Sequence, residues 1–419
     1  MAAPASTHAL HAALSPASEL VDDRRALYRL ALELFAPGFE LSDNLADHPI
    51  VRYEIGRALA GHDGLDPVRL KEVAAMSVRD AGVPVAADPA AAEMLEAPLR
   101  IVAPAGVRPQ PLTEADGERF ETVLLIVAEG VRLFRALAPA MADDLLAHVS
   151  MLAVMKKETS GGVVSASSRY VPGIVLIDEP SLPMEVAEAL VHEGAHEKFF
   201  DLAITKEFLD ARAEDADYFE NSWSGARWPL EQTFAAWHAY SCLAQFFLSI
   251  GTEQLGPDSL LPNAKQRAAE IGEWLLAHER DLQGHARWLL HALMGDTGGH
   301  VGGQVVPSGV DGVAPSPKIS QHWEFHVLPD VRYKCSATGR VVAGRSTNPP
   351  EIYWLDEDAS WALTNSCQVG KFATFERAVL RATEEWQVGS AVARHRLENA
   401  LDWLLSAQLI GRTDPEKEL

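Results

Sequence analysis

Apolar positions along most of this chain recur at three- and four-residue steps, the period of helices that bury one face. In "ASELVDDRRALYRLALELFA", Leu20, Leu27, Leu30 and Leu34 fall at helical spacings, and "PVRLKEVAAMSVRDAG" continues the pattern. After the proline-rich break "VAPAGVRPQPLTEAD", the segment "GERFETVLLIVAEGVRLFRALAPAMADDLLAHVSMLAVMK" resumes helical period. "GGVVSASSRYVPGIVLID" is different: β-branched residues between glycine and proline breaks predict two short strands. Its end, "GIVLID", runs through "EPSLP" into another helix, with Ser181 as the expected N-cap and Pro183 in the first turn.

Two more long helices are expected over "TFAAWHAYSCLAQFFL" and "NAKQRAAEIGEWLLAHERDLQGHARWLLHALMG". "DTGGHVGGQVVPSGVDGVAPSPK" has no apolar period and reads as a linker. Beyond it, "RYKCSATGRVVAGRS" and "EIYWLD" read as strands, and "ERAVLRATEEWQ" and "ARHRLENALDWLLSAQLIG" as helices. The expected fold class is mainly α with a small β component. Boundaries near 110 and 315 divide the chain into a helical N-terminal region (1–110), a central domain (111–300), a linker (301–329) and a small C-terminal domain (330–419).

Composition narrows the function classes. The 419 residues suffice for two or three domains, and 47% hydrophobic with 23% charged residues is ordinary for a globular protein. A formal charge of -23 argues against nucleic acid or an anionic membrane as partner, since both reward Lys and Arg; a cationic or neutral partner such as a peptide fits better. Cys242, Cys335 and Cys367 lack a pairing rhythm and read as reduced thiols in a cytoplasmic protein. "MAAPASTHALHAAL" has neither the basic region nor the apolar region of an export signal, and no stretch is apolar enough to span a membrane.

The chemistry concentrates in "LVHEGAHEKFFDL". On a helix, residues four apart share a face, so His192 and His196 can direct two imidazoles at one ion, with Glu193 within reach of a metal-bound water. The bland alternative is a chance pentapeptide on a charged helix. Gly194 in mid-helix implies that a neighbour approaches closely. A catalytic ion needs a third protein ligand. Glu214, Glu220 and Glu231 are possible, but His238 is the better candidate, sharing a stripe with Leu230, Phe234 and Cys242; its alternative role is that of an ordinary core histidine. His278 and His285 share a face among charged neighbours and fit solvent better.

Three ordered segments, "SASSRYVPGIVLID", "AEALVHEGAHEKFFDL" and "WSGARWPLEQTFAAWHAY", resemble the HExxH-motif proteins of bacterial peptide-natural-product clusters, a family of iron- and 2-oxoglutarate-dependent peptide β-hydroxylases. The resemblance covers roughly residues 120 to 300. It implies that His192 and His196 hold Fe(II), that His238 supplies the third ligand, and that the partners are a precursor peptide, 2-oxoglutarate and O₂. A dianionic cosubstrate calls for a buried cation; Arg227 is the first candidate and Arg169 the second, with hydroxyls from Ser165, Ser167 and Ser168 nearby. Glu193 then orients a ligand or a water rather than serving as general base. The competing reading is a zinc metallopeptidase with Glu193 as base; a third is a peptide-binding protein with a structural metal. Residues 330 to 415 resemble, more weakly, the winged-helix domain that recognises leader peptides, and the alternative for them is a plain helical cap.

Overall fold

The computed structural model describes residues 16–62, 65–74, 76–103, 105–206, 208–209, 218–251, 255–294, 323–347, 350–368 and 371–413. Glu214, the N-terminal "MAAPASTHALHAAL" and the linker sequence 296–318 lie outside them. The chain is mostly helical with small sheets. It divides into two compact units, one of residues 1–24, 42–56 and 66–304, the other of residues 25–41, 57–65 and 305–419.

The first four helices are α1 (Ala17–Phe35), α2 (Asp43–Asp47), α3 (Pro49–Leu59) and α4 (Pro67–Ala74). The helical pattern expected to continue after α4 gives way to a hairpin of β1 (Val78–Asp80) and β2 (Pro84–Ala86). Asp80 Oδ1 accepts the amide of Gly82 at 2.8 Å, and Gly82 takes φ of 86°, a left-handed conformation that favours glycine and ends any helix there.

Next come α5 (Pro89–Val102), α6 (Glu118–Leu137) and α7 (Pro139–Leu146), then β3 (Met151–Met155), β4 (Ser165–Ala166) and β5 (Ile174–Asp178). β3 corrects the sequence reading, which carried helix through "MLAVM". All five of its residues are buried, and a strand covered on both faces shows no alternation to separate it from a buried helix. The sheet order is β1-β2-β3-β5-β4: β2, β3 and β5 run parallel, and β4 is an antiparallel edge strand.

Helix α8 (Pro183–Thr205) carries the two histidines and is buried on nearly every side. Its polar residues are therefore met inside the protein. Lys198 Nζ donates to both oxygens of Asp144 at 2.6 and 2.7 Å, Asp201 faces His148 Nδ1 at 2.6 Å and also pairs with Arg24, and Glu197 Oε2 accepts the Gly173 amide at 2.6 Å. Helix α6 crosses α8 at Gly130, where an added Cβ would stand 2.5 Å from Val186 Cβ. Gly194, on α8 itself, faces Leu145 of α7, whose Cβ would be 3.2 Å away, so the close neighbour expected from the sequence is α7.

A short hairpin of β6 (Phe219–Glu220) and β7 (Arg227–Trp228) precedes α9 (Leu230–Phe247). The single helix expected next is two, α10 (Leu261–Ala277) and α11 (Gly284–Met294), separated by a 3₁₀ turn at Glu279–Asp281. The break lets Leu282 bury beside the same core while the amide of Gln283 bonds the carbonyl of Phe208 at 2.8 Å.

The second unit has its own core, formed among others by Phe325, Val341, Leu363, Phe375, Leu397 and Leu401. Its strands are β8 (Glu324–Val327), β9 (Val331–Cys335), β10 (Val341–Arg345), β11 (Glu351–Trp354), β12 (Cys367–Gln368), β13 (Lys371–Thr374) and β14 (Ile410–Thr413). They form sheets of order β11-β10-β9 and β12-β13-β8-β14. Its helices are α12 (Glu357–Trp361), α13 (Phe375–Trp386) and α14 (Ser390–Ser406). Among the described residues no helix is long and apolar enough to cross a membrane, and all three cysteines are free thiols.

Candidate metal centre

Glu185 sets the start of α8. Its Oε2 accepts the amides of Ser181 and Leu182 at 2.7 and 3.2 Å, while Pro183 occupies the first helical position. The N-cap is thus Leu182 rather than Ser181: a carboxylate three residues into the helix reaches back to the free N–H groups, so no capping hydroxyl is needed.

Two turns on, the helix stacks His192 and His196 with ring centroids 4.8 Å apart and planes at 84°. Ligand atoms of His192, Glu193 and His196 all lie within 4.8 Å of one another, and among the described residues these three form the group of His, Cys, Asp and Glu side chains so placed. Burial pushes His192 down to about 4, helped by the positive charge of Arg267. Burial likewise pushes His196 down to about 4, with His192 adding to the effect and Glu193 opposing it. Both rings are neutral at pH 7, the state in which imidazole offers a lone pair to a metal. Nδ1 of His192 is buried without a hydrogen-bond partner, an orphaned atom of the kind a ligand satisfies. This donor set fits a divalent cation held by nitrogen with a carboxylate beside it.

Glu193 is fixed from the edge of the sheet. Ser165 Oγ donates to its Oε1 at 2.7 Å and Ser167 Oγ to its Oε2 at 2.6 Å. Two of the three serines named from the sequence hold the carboxylate of the motif, and the third, Ser168, accepts the Tyr170 amide instead. Glu193 Oε1 is 3.9 Å from Nε2 of His192.

His238 on α9 is completely buried, with Nδ1 2.9 Å from the carbonyl oxygen of Ala195 and its ring 6.3 Å from that of Phe199. Burial, then the charge of Lys198 and the neighbouring His196, push it down to about 3. It is not one of the three closely grouped side chains, but it is fastened to the backbone of α8 directly before His196.

The two arginines expected near a cosubstrate are placed otherwise. Arg227 is exposed and lies over the ring of Tyr218 at 4.9 Å. Arg169 is exposed, donates to the Tyr170 hydroxyl and pairs with Glu231, so one of the carboxylates weighed as a metal ligand is engaged by it. Glu220, the other described one, is exposed in β6. The cation beside the histidines is Arg267 of α10. Its guanidinium lies 4.9 Å from the centroid of Trp223 and 5.3 Å from that of Tyr240, and Nη1 donates to the Tyr240 hydroxyl at 3.0 Å. The Tyr240 ring in turn is 5.6 Å from that of His192. Among the described residues Arg267 pairs with no carboxylate. No local motif marks it; its helix simply packs against α9.

A cavity of about 360 Å³ opens beside His192, with Ser165 and His192 in its wall. The sequence matches no protein-family model and no curated protein.

Proposed function

We propose that this chain is an Fe(II)- and 2-oxoglutarate-dependent oxygenase that hydroxylates a side-chain β-carbon in a ribosomally synthesised precursor peptide. The observation that carries the reading is Arg267, a cation without a carboxylate partner among the described residues, held between two aromatic rings beside the histidine pair. A cosubstrate with two carboxylates calls for such a group at the end that its metal chelate leaves free. His192 and His196 would hold the iron. His238 is the third candidate, because metal-binding histidines commonly direct their second nitrogen to a backbone carbonyl, as its Nδ1 does to Ala195. When bound, the iron supplies activation of O₂. Glu193, tied through both oxygens to Ser165 and Ser167, keeps the edge strand on the helix, and Trp223 and Tyr240 hold Arg267 in place.

The antiparallel edge strand β4 next to α8 supports a zincin-like core and offers a place for an extended peptide by strand addition. The order of strands and helices after residue 323 supports a winged-helix-like reading of the second unit, with a strand edge as the leader-peptide site. Tethering leader recognition to the catalytic unit would raise the local concentration of the core peptide. Such chemistry belongs in the cytoplasm, where the precursor is made.

A zinc peptidase is the second reading, favoured by the position of Glu193 Oε1 3.9 Å from His192 Nε2. The two are separated by purifying the protein anaerobically, supplying Fe(II), 2-oxoglutarate, O₂ and candidate peptides, and following succinate and a mass gain of one oxygen. Cleavage with Zn(II) and no succinate overturns the oxygenase reading.

A further inference from the structure

The cavity beside His192 has a wall and a rim of different character. Ile177, Leu182, Val186, Ala189 and Leu260 give it apolar sides, and the charged residues around it are five acids and one base, Lys157. Three of the acids are already engaged. Glu179 pairs with Arg119, Glu185 caps α8, and Glu188 accepts the Ser259 hydroxyl at 2.7 Å and the Leu260 amide at 2.5 Å. The remaining two are Asp178 and Asp258. Oδ1 of Asp178 is buried without a hydrogen-bond partner, whereas the carboxylate as a whole is met by the Ser160 hydroxyl, the Glu179 amide and the charge of Lys157, so one acceptor of this wall is left open. Asp258 is exposed at the rim.

A volume of about 360 Å³ lies at the lower end for ligand pockets, room for one long side chain rather than a folded ligand. Ser165 in the wall belongs to edge strand β4, so a peptide extended along that edge runs past the mouth. An aliphatic stem would meet the apolar sides and a cationic end would meet Asp178 and Asp258.

From this the geometry points to a specificity pocket for a basic side chain of the substrate, a lysine or an arginine, seated next to the metal centre. The inference rests on the proposed function only in taking the substrate to be a peptide. The acid excess of the whole chain favours the same partner at longer range.

The test needs no turnover. The full-length, metal-free protein is titrated calorimetrically with N-acetyl-lysine N-methylamide and with the norleucine and glutamate analogues, which share the backbone and differ at the end of the side chain. The lysine compound should bind about tenfold or more tighter than norleucine, with glutamate weaker than both. Asp178→Asn with Asp258→Asn should bring the lysine-to-norleucine ratio close to one, and Lys157→Met should raise it. Asp258→Asn alone, at an exposed position, should lower the ratio without affecting the fold. Equal binding of lysine and norleucine, a ratio unchanged in the double variant, or no binding up to tens of millimolar overturns the pocket. Succinate formation without lysine preference would sink the pocket and leave the oxygenase; lysine preference with zinc-dependent cleavage would do the reverse.

Discussion

Nδ1 of His238 stands 2.9 Å from the carbonyl oxygen of Ala195, so a ring on α9 is fastened to the backbone of α8 between the two motif histidines. Replacing His238 by Ala removes that bond and leaves a hole in a fully buried position, at a cost of about 2–4 kcal/mol in stability. As the third ligand, it should also take stoichiometric metal binding with it, read by metal analysis after gel filtration. Retained one-to-one binding with activity would show the ring to be structural.

Arg267→Met should raise the KM for 2-oxoglutarate by about 10–100-fold with a smaller change in kcat, because a charge-assisted pair contributes about 1.5–3 kcal/mol. Arg267→Lys should recover part of this, since an ammonium keeps the charge but not the fork. Arg169→Met and Arg227→Met, which change exposed side chains, should leave the KM unaltered. Equal KM values for all four proteins would remove the anion role from Arg267.

The serine pair tests what Glu193 does. Ser165→Ala with Ser167→Ala should weaken metal binding or activity by about 10–100-fold, the usual effect of removing groups that orient a metal site. Glu193→Gln, whose oxygen can still accept one serine hydroxyl while its NH2 donates to the other serine oxygen, should keep much of the hydroxylation. A peptidase would instead lose cleavage with Glu193→Gln and keep it in the serine double variant.

Acid should unfold the metal-free protein in a defined window. His48, His192 and His196 are lowered to about 4 and His238 to about 3, burial being the first cause in each, from an ordinary 6.5. The folded chain therefore binds fewer protons than the unfolded one between those values. The stabilisation is fully present above pH 6.5 and drains as the pH falls toward 4, with a slope of about 1.4 kcal/mol per pH unit for each ring. Urea midpoints measured from pH 7 to 4 should fall steeply, and His48→Gln should flatten the slope. A pH-independent midpoint would contradict the burial of these rings.

Two glycines near the motif should respond to alanine in different degree. At Gly130 the new Cβ would meet Val186 Cβ at 2.5 Å and the Pro183 carbonyl oxygen at 2.7 Å, so Gly130→Ala should cost about 1–3 kcal/mol despite its better helix propensity. At Gly194 the nearest atom, Leu145 Cβ, is 3.2 Å away, tight but relieved by a shift of a few tenths of an ångström, and Gly194→Ala should change stability by no more than about 1 kcal/mol. Thermal melts of the two variants decide this.

Local pattern was a good guide wherever one segment carries its own signal. The i, i+4 spacing of His192 and His196, the strand at Ile174–Asp178 and the helix Leu230–Phe247 all follow from neighbours in sequence. It failed at Met151–Met155, where burial on both faces erases the alternation, and at Glu279–Asp281, where two apolar stretches run on without a break that composition reveals. It also failed to choose among arginines. Arg169 and Arg227 flank the recognisable segments, whereas Arg267 reaches His192 only because α10 packs on α9, and periodicity does not report which helices meet.

The sequence by itself determined that one helix face presents two imidazoles with a carboxylate about 100° round from the first, because residues four apart share a face at 3.6 residues per turn. Tertiary structure decided what surrounds them: serines 165 and 167 on both oxygens of Glu193, His238 on the carbonyl of Ala195, Arg267 beside His192, and an acid-rimmed cavity with His192 in its wall. Those contacts join segments far apart along the chain. They depend on helix crossings and sheet order, which are set by the packing of the whole core and not by the period of any one element.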